Sequence, residues 1–73
     1  MSIFDLKKGE EAKITAVSVG GAAGERLQAL GVIKGQSVKI IAFSLFSGSV
    51  LISAGYNRIA LRKSVAQKIE VEA

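Results

Sequence analysis

The sequence contains no cysteine, no histidine and no proline. Without cysteine there is neither a disulfide nor a thiolate metal site to staple the fold, a composition that suits a reducing compartment. Without histidine the commonest general base and the commonest transition-metal ligand are missing. Long apolar runs are absent too. The longest, Ile40-Ile41-Ala42-Phe43, has four residues, whereas a membrane span needs about 20. Residues Met1-Ser2-Ile3-Phe4-Asp5 reach an acid at once and carry no basic stretch, so no signal peptide is expected. A cytoplasmic, non-enzymatic binding module is the reading these absences support.

What is present fits that reading. A chain of 73 residues makes a single domain over 1–73. Such a domain buries only about 60–65% of its unfolded surface, and its expected stability is roughly 4–11 kcal/mol at about 0.05–0.15 kcal/mol per residue. Little is left for a deep substrate cleft. The hydrophobic fraction of 49% is that of a folded domain. The net charge of +4 permits an anionic partner but is modest for nucleic acid or a membrane surface.

Eight glycines separate short apolar-periodic stretches, the spacing of an all-β barrel. Residues 2–6 read as a brief turn, with Ser2 and Asp5 as its cap and Ile3 and Leu6 pointing inward. Residues 12–19 read as the first strand, with Ile14 and Ala16 inward. Val17 and Val19 are out of phase with that pair, which calls for a bulge near Ala16. Residues 22–30 are predicted as the one helix. Ala23, Leu27 and Leu30 recur at i, i+4, i+7 as an apolar stripe, Glu25 falls in the first turn where an anion is favoured, and Gly31 supplies the left-handed cap. Strands follow at 37–43 (Val38, Ile40, Ala42 inward), 49–53 (Val50, Ile52 inward), 57–61 (Ile59, Leu61 inward, with Arg58, Ala60 and Arg62 outward) and 68–72 (Ile69, Val71 inward). Five short antiparallel strands and one helix are too few for a two-sheet sandwich and suit a mainly β, partly open small barrel.

Four segments resemble the FeoA family, whose members are small cytosolic partners of the bacterial ferrous-iron transporter FeoB. They are Ile3-x-x-Leu6-Lys-x-Gly9-Glu10; Arg26-Leu27-x-x-Leu30-Gly31-Val32-x-x-Gly35-x-x-Val38; Ile59-Ala60-Leu61-Arg62; and Ala66-x-x-Ile69-x-Val71. Their order and spacing run from Ile3 to Val71. The resemblance implies an SH3-like barrel with an inserted helix, and an accessory role in ferrous-iron uptake through contact with FeoB at the inner face of the membrane. The family often has proline before the glycines that here are Gly9 and Gly35; this chain has Lys8 and Lys34.

Candidate sites follow from chemistry. The serines have no histidine to activate them, and Lys63 and Ser64 are neighbours on a surface turn with no buried pocket to lower the lysine pKa, so no catalytic residue is expected. No cofactor is expected either. Glu70 and Glu72 share one strand face, near the C-terminal carboxylate of Ala73, and could hold a hard cation only weakly; Fe(II) prefers an imidazole or a preformed carboxylate cage. The loop at 44–48 is more informative. Leu45 and Phe46 sit where the chain should face water, and an exposed apolar cluster marks a partner surface, which Ile41 and Phe43 would extend. A loop folded back over an open barrel end is the competing expectation. Leu45, Phe46, Arg26, Arg58 and Arg62 are the expected partner-binding residues, and the same hairpin offers a surface for self-association. A nucleic-acid-binding barrel is an alternative, but the aromatic platform of single-strand binders is missing, since Tyr56 stands alone. A regulator-type SH3-like peptide-binding domain is another, but grooves for proline-rich ligands are lined by aromatics, and this chain has four. Neither nucleic acid nor a small-molecule substrate is expected as partner.

Overall fold

Alternation of apolar and polar residues selects the strands. In the computed structural model, which describes residues 1–72, these are β1 (Glu11–Val17), β2 (Ser37–Phe43), β3 (Ser49–Ala54), β4 (Asn57–Arg62) and β5 (Ile69–Glu72). All neighbours pair antiparallel in one sheet of order β4-β3-β2-β1-β5. The inward residues form one core: Ala12 and Ile14 of β1, Val38 and Ile40 of β2, Val50, Ile52 and Ala54 of β3, Ile59 and Leu61 of β4, Ile69 and Val71 of β5. The fold is a mainly β small barrel of five antiparallel strands, as expected.

The barrel is open between β4 and β5, the two ends of the strand order. Free strand edges invite association unless covered. Here the gap is bridged by two short helical pieces. A 3-10 turn at Ile3–Asp5 packs on β5, and helix α2 (Lys63–Ala66) packs on β3, β4 and that turn. Val71 N–H donates to Met1 C=O (2.8 Å), and Ser2 bridges Glu70 antiparallel, so β5 also gains main-chain cover. Ile3 and Leu6 are buried as expected, and Ala66 of α2 is buried too. The Phe4 ring lies edge-on to Phe43 at 5.5 Å and 79°, with Lys63 Nζ 5.4 Å from its centroid.

The 3-10 turn depends on its cap. Ser2 N–H donates to Asp5 Oδ2 at 2.9 Å, and Asp5 N–H donates to the Ser2 carbonyl at 3.0 Å. Asp5→Ala leaves the partly buried Ser2 N–H without a partner. The expected cost is about 1 kcal/mol, or roughly 4–8 °C in thermal midpoint for a domain of this size, measurable by a calorimetric melt.

Bulges change which residues face inward. The register of β1 against β5 shifts between Ile14 and Ala16, so the bulge falls at Thr15. That turns Ala16 outward, against expectation, and lets Val17 pack partly on the core. A second bulge, not anticipated, falls at Ile41: Ile40 pairs with Ile52 while Ala42 pairs with Leu51. The phase flips after it. Ala42, expected inward, is only half-buried, and Phe43, expected to extend an exposed patch, opposes Val50 and packs against the core. Ile41 itself is half-buried.

Candidate partner-binding surface

Helix α1 spans Gly21–Ala29, one residue earlier at each end than 22–30. Its start moves because Gly20, in extended conformation, takes the cap position. Glu25 therefore lies in the second turn and the first turn holds no acid, contrary to expectation. The C-terminus is as expected. Gly31 has φ +94°, its N–H donates to Gln28 C=O at 3.1 Å, and Val32 N–H donates to Leu27 C=O at 2.9 Å. This is the pairing of a Schellman end, with Leu27 and Val32 buried together.

The helix docks through a narrow contact. Leu27 is its one buried residue, Leu30 is half-buried, and Ala23, expected in the stripe, is exposed. Two features hold α1 in place. Asn57 Nδ2 donates to Leu30 C=O at 2.9 Å, tying the helix end to the start of β4. Gly24 lies so near the strand-to-helix connection that a Cβ there would overlap the Val19 carbonyl oxygen. Gly24 was legible in principle: an isolated glycine inside a helix costs about 1 kcal/mol and so marks close packing.

A groove runs along each side of α1. One, of about 760 Å³, lies toward the end of β1 and carries charges of both signs, Glu25 and Lys34. The other, of about 530 Å³, lies toward β4 and α2. Arg26 and Arg62 are the only charged side chains lining it, and Ala22, Ala23, Leu27, Ala60 and Val65 supply apolar surface. The fold thus brings together Arg26 and Arg62 from distant parts of the sequence. Arg58 is exposed on the same strand face as Arg62, about 13 Å away at roughly 3.3 Å per residue. The sequence did not show that the alanines and Val65 share one groove, because small apolar residues read as neutral until a neighbour defines a wall.

Leu45 and Phe46 stand apart from this groove, at the tip of the β2–β3 hairpin. They are 89% and 91% exposed, so the loop is not folded back over the barrel. It is a built loop: Ser44 N–H donates to Ser49 C=O (3.0 Å), Ser49 N–H donates to Ser44 Oγ (3.0 Å), and Ser47 N–H donates to Ser44 C=O (2.9 Å). The loop thereby presents two large apolar side chains to water. Its base adjoins the end of β4, where Ser49 pairs with Arg62 and Lys63 N–H donates to Gly48 C=O.

The acidic pair is differently engaged. Glu70 Oε2 accepts from the N-terminal ammonium of Met1 at 3.3 Å, the one ion pair among the described residues. Glu72 is exposed. The Ala73 carboxylate, considered with them, lies outside the described residues. No group of three or more acidic, His or Cys side chains comes together among the described residues. No helix there is long and apolar enough to cross a membrane. Tyr56 is fully exposed on the β3–β4 turn, alone.

The molecule is a small open barrel whose distinctive features are an apolar hairpin tip and an arginine-flanked groove. The FeoA domain family model matches residues 1–73, and the chain belongs to that family. Among solved structures, the iron(II) transport protein A of Clostridium thermocellum is 30% identical with a TM-score of 0.91, covering 99% of this chain and 44% of that one. The FeoA protein of Chlorobium tepidum is 26% identical with a TM-score of 0.93, covering 99% and 69%. The FeoA of Stenotrophomonas maltophilia, solved with zinc and described as a procaryotic SH3 domain protein, is 30% identical with a TM-score of 0.82, covering 99% and 89%. The chain thus spans less than half of the Clostridium thermocellum protein. No curated protein matches the sequence. The architecture is the SH3-like barrel with an inserted helix, and the family is associated with ferrous-iron transport.

Proposed function

We propose that this domain is a cytoplasmic accessory of ferrous-iron uptake that docks on the transporter FeoB and modulates Fe(II) transport without catalysis of its own. The carrying observation is the hydrogen-bonded hairpin that holds Leu45 and Phe46 out in water, in a chain of the FeoA family. Exposed apolar side chains of this size are costly unless a partner covers them. Arg26, Arg58 and Arg62 are exposed and supply the charged rim such interfaces use for orientation and rate. Modulation then follows from differential contact: a binder shifts the transporter between two states only by its difference in affinity for them.

The test is an amide-shift titration of isotope-labelled protein with the cytosolic domain of FeoB and with detergent-solubilised FeoB. Shifts are expected at residues 44–48 and at the adjoining end of β4. Absence of shifts with both partners overturns the proposal. Binding of a nucleic-acid probe with an affinity that falls steeply with salt would instead indicate counterion release and a polyanion-binding barrel.

A further inference from the structure

β4 is the terminal strand on one side of the sheet. Lys63 N–H points to the β3 side, where it donates to Gly48 C=O. Main-chain groups alternate direction along an antiparallel strand. Asn57, Ile59 and Leu61 therefore direct theirs to β3, while Arg58, Ala60 and Arg62 direct theirs to the open edge. The N–H and C=O of Ala60 have no main-chain partner among the described residues. An uncovered edge of this kind is a template for another strand.

Helix α1 stands beside this edge without closing it. The groove between them, about 530 Å³, is in the range of about 300–1,000 Å³ that ligand-holding clefts occupy. Alanines at positions 22, 23 and 60 line it, and their short side chains leave room for an incoming backbone. Its charge is of one sign: Arg26 and Arg62 line it, neither has an ion-pair partner among the described residues, and no acidic side chain faces it.

We infer that this groove takes an extended acidic peptide segment, which adds to β4 as a further strand through the Ala60 main chain and sets its carboxylates against Arg26 and Arg62. Strand addition draws affinity from main-chain hydrogen bonds and specificity from alternate side chains, so it does not require the aromatic lining that proline-rich ligands demand. Guanidinium groups receive carboxylates in bidentate geometry. The inference deepens the docking reading above and takes from it only that the occupant is a protein segment.

The probe is a capped hexapeptide alternating valine and glutamate, with one alternating valine and lysine as control. Titration of the labelled domain with the glutamate peptide should shift amides at residues 22–26 and 58–62 and slow hydrogen exchange at the Ala60 amide. The lysine peptide should do neither. The double substitution Arg26→Ser and Arg62→Ser should weaken binding at least about tenfold while leaving the thermal midpoint unchanged. No binding, equal binding of both peptides, or binding without protection of the Ala60 amide overturns the inference. Because no transporter is present, the outcomes separate. FeoB titration without peptide binding leaves docking intact and removes the groove; peptide binding without FeoB shifts does the reverse.

Discussion

Gly24→Ala is expected to destabilise the domain by about 2 kcal/mol, the opposite sign to helix propensity. In an exposed helix interior the change gains about 0.5–1 kcal/mol, because glycine loses more backbone entropy than alanine on folding. Here the added Cβ would overlap the Val19 carbonyl oxygen and lie 2.9 Å from its carbonyl carbon. Both are backbone atoms, so no side chain can rotate away. The helix must move instead. Forced overpacking costs about 1–3 kcal/mol, and lifting α1 also exposes Leu27, whose burial is worth about 1.5–3 kcal/mol. The penalty therefore exceeds the propensity gain. A loss of about 2 kcal/mol is a large share of the roughly 4–11 kcal/mol expected of a chain this size. It lowers the thermal midpoint by roughly 8–16 °C at about 4–8 °C per kcal/mol. Chemical denaturation of the two proteins measures it. Equal or greater stability in Gly24→Ala would show that α1 is not seated on the Val19 backbone. The same seat sets the groove wall, so a destabilised Gly24→Ala protein should also lose the glutamate-peptide shifts.

Phe46→Ser is expected to leave stability unchanged and to weaken FeoB binding by about 2 kcal/mol, some thirtyfold. The folded-state argument is direct. Phe46 is 91% exposed and the hairpin's hydrogen bonds use Ser44, Ser47 and Ser49, so truncation removes no internal contact. Surface changes of this kind usually stay within about ±0.5 kcal/mol. The binding argument rests on interface anatomy. A large aromatic at the tip of a built loop enters a partner's pocket with few rotamers to freeze, and such anchors cost about 2 kcal/mol or more when truncated. Melting curves and the FeoB titration on one preparation separate the two terms. A lowered melting temperature with unchanged binding would assign Phe46 to the fold and remove it from the interface.

Much of this was readable from residues alone. β2 and β4 fall within a residue of the reading at both ends, because alternation inside each strand and glycine or serine outside it act locally. The Gly31 helix end was equally plain, since the left-handed φ it needs is a property of one residue. Ala16 and Phe43 were misplaced for one shared reason. A bulge moves every later side chain to the other face. Its exact position depends on how two strands register, as at Ile14/Ala16 against β5 and Ile40/Ala42 against β3.

The surface divides the same way. Leu45 and Phe46 were recognisable as an apolar pair in a turn, and the structure decided that they face solvent. Arg26 and Arg62 were picked out separately for exposure; nothing in a linear pattern joins them. By itself the sequence determined the strand set, the helix and its glycine stop, and the absence of histidine and cysteine, because these depend on local periodicity and residue type. Only the tertiary structure decided that α1 leans on Val19 through Gly24, that β4 keeps an open edge beside it, and that two arginines line one groove there. Those outcomes depend on distances between segments far apart in the chain, which only the packed barrel fixes.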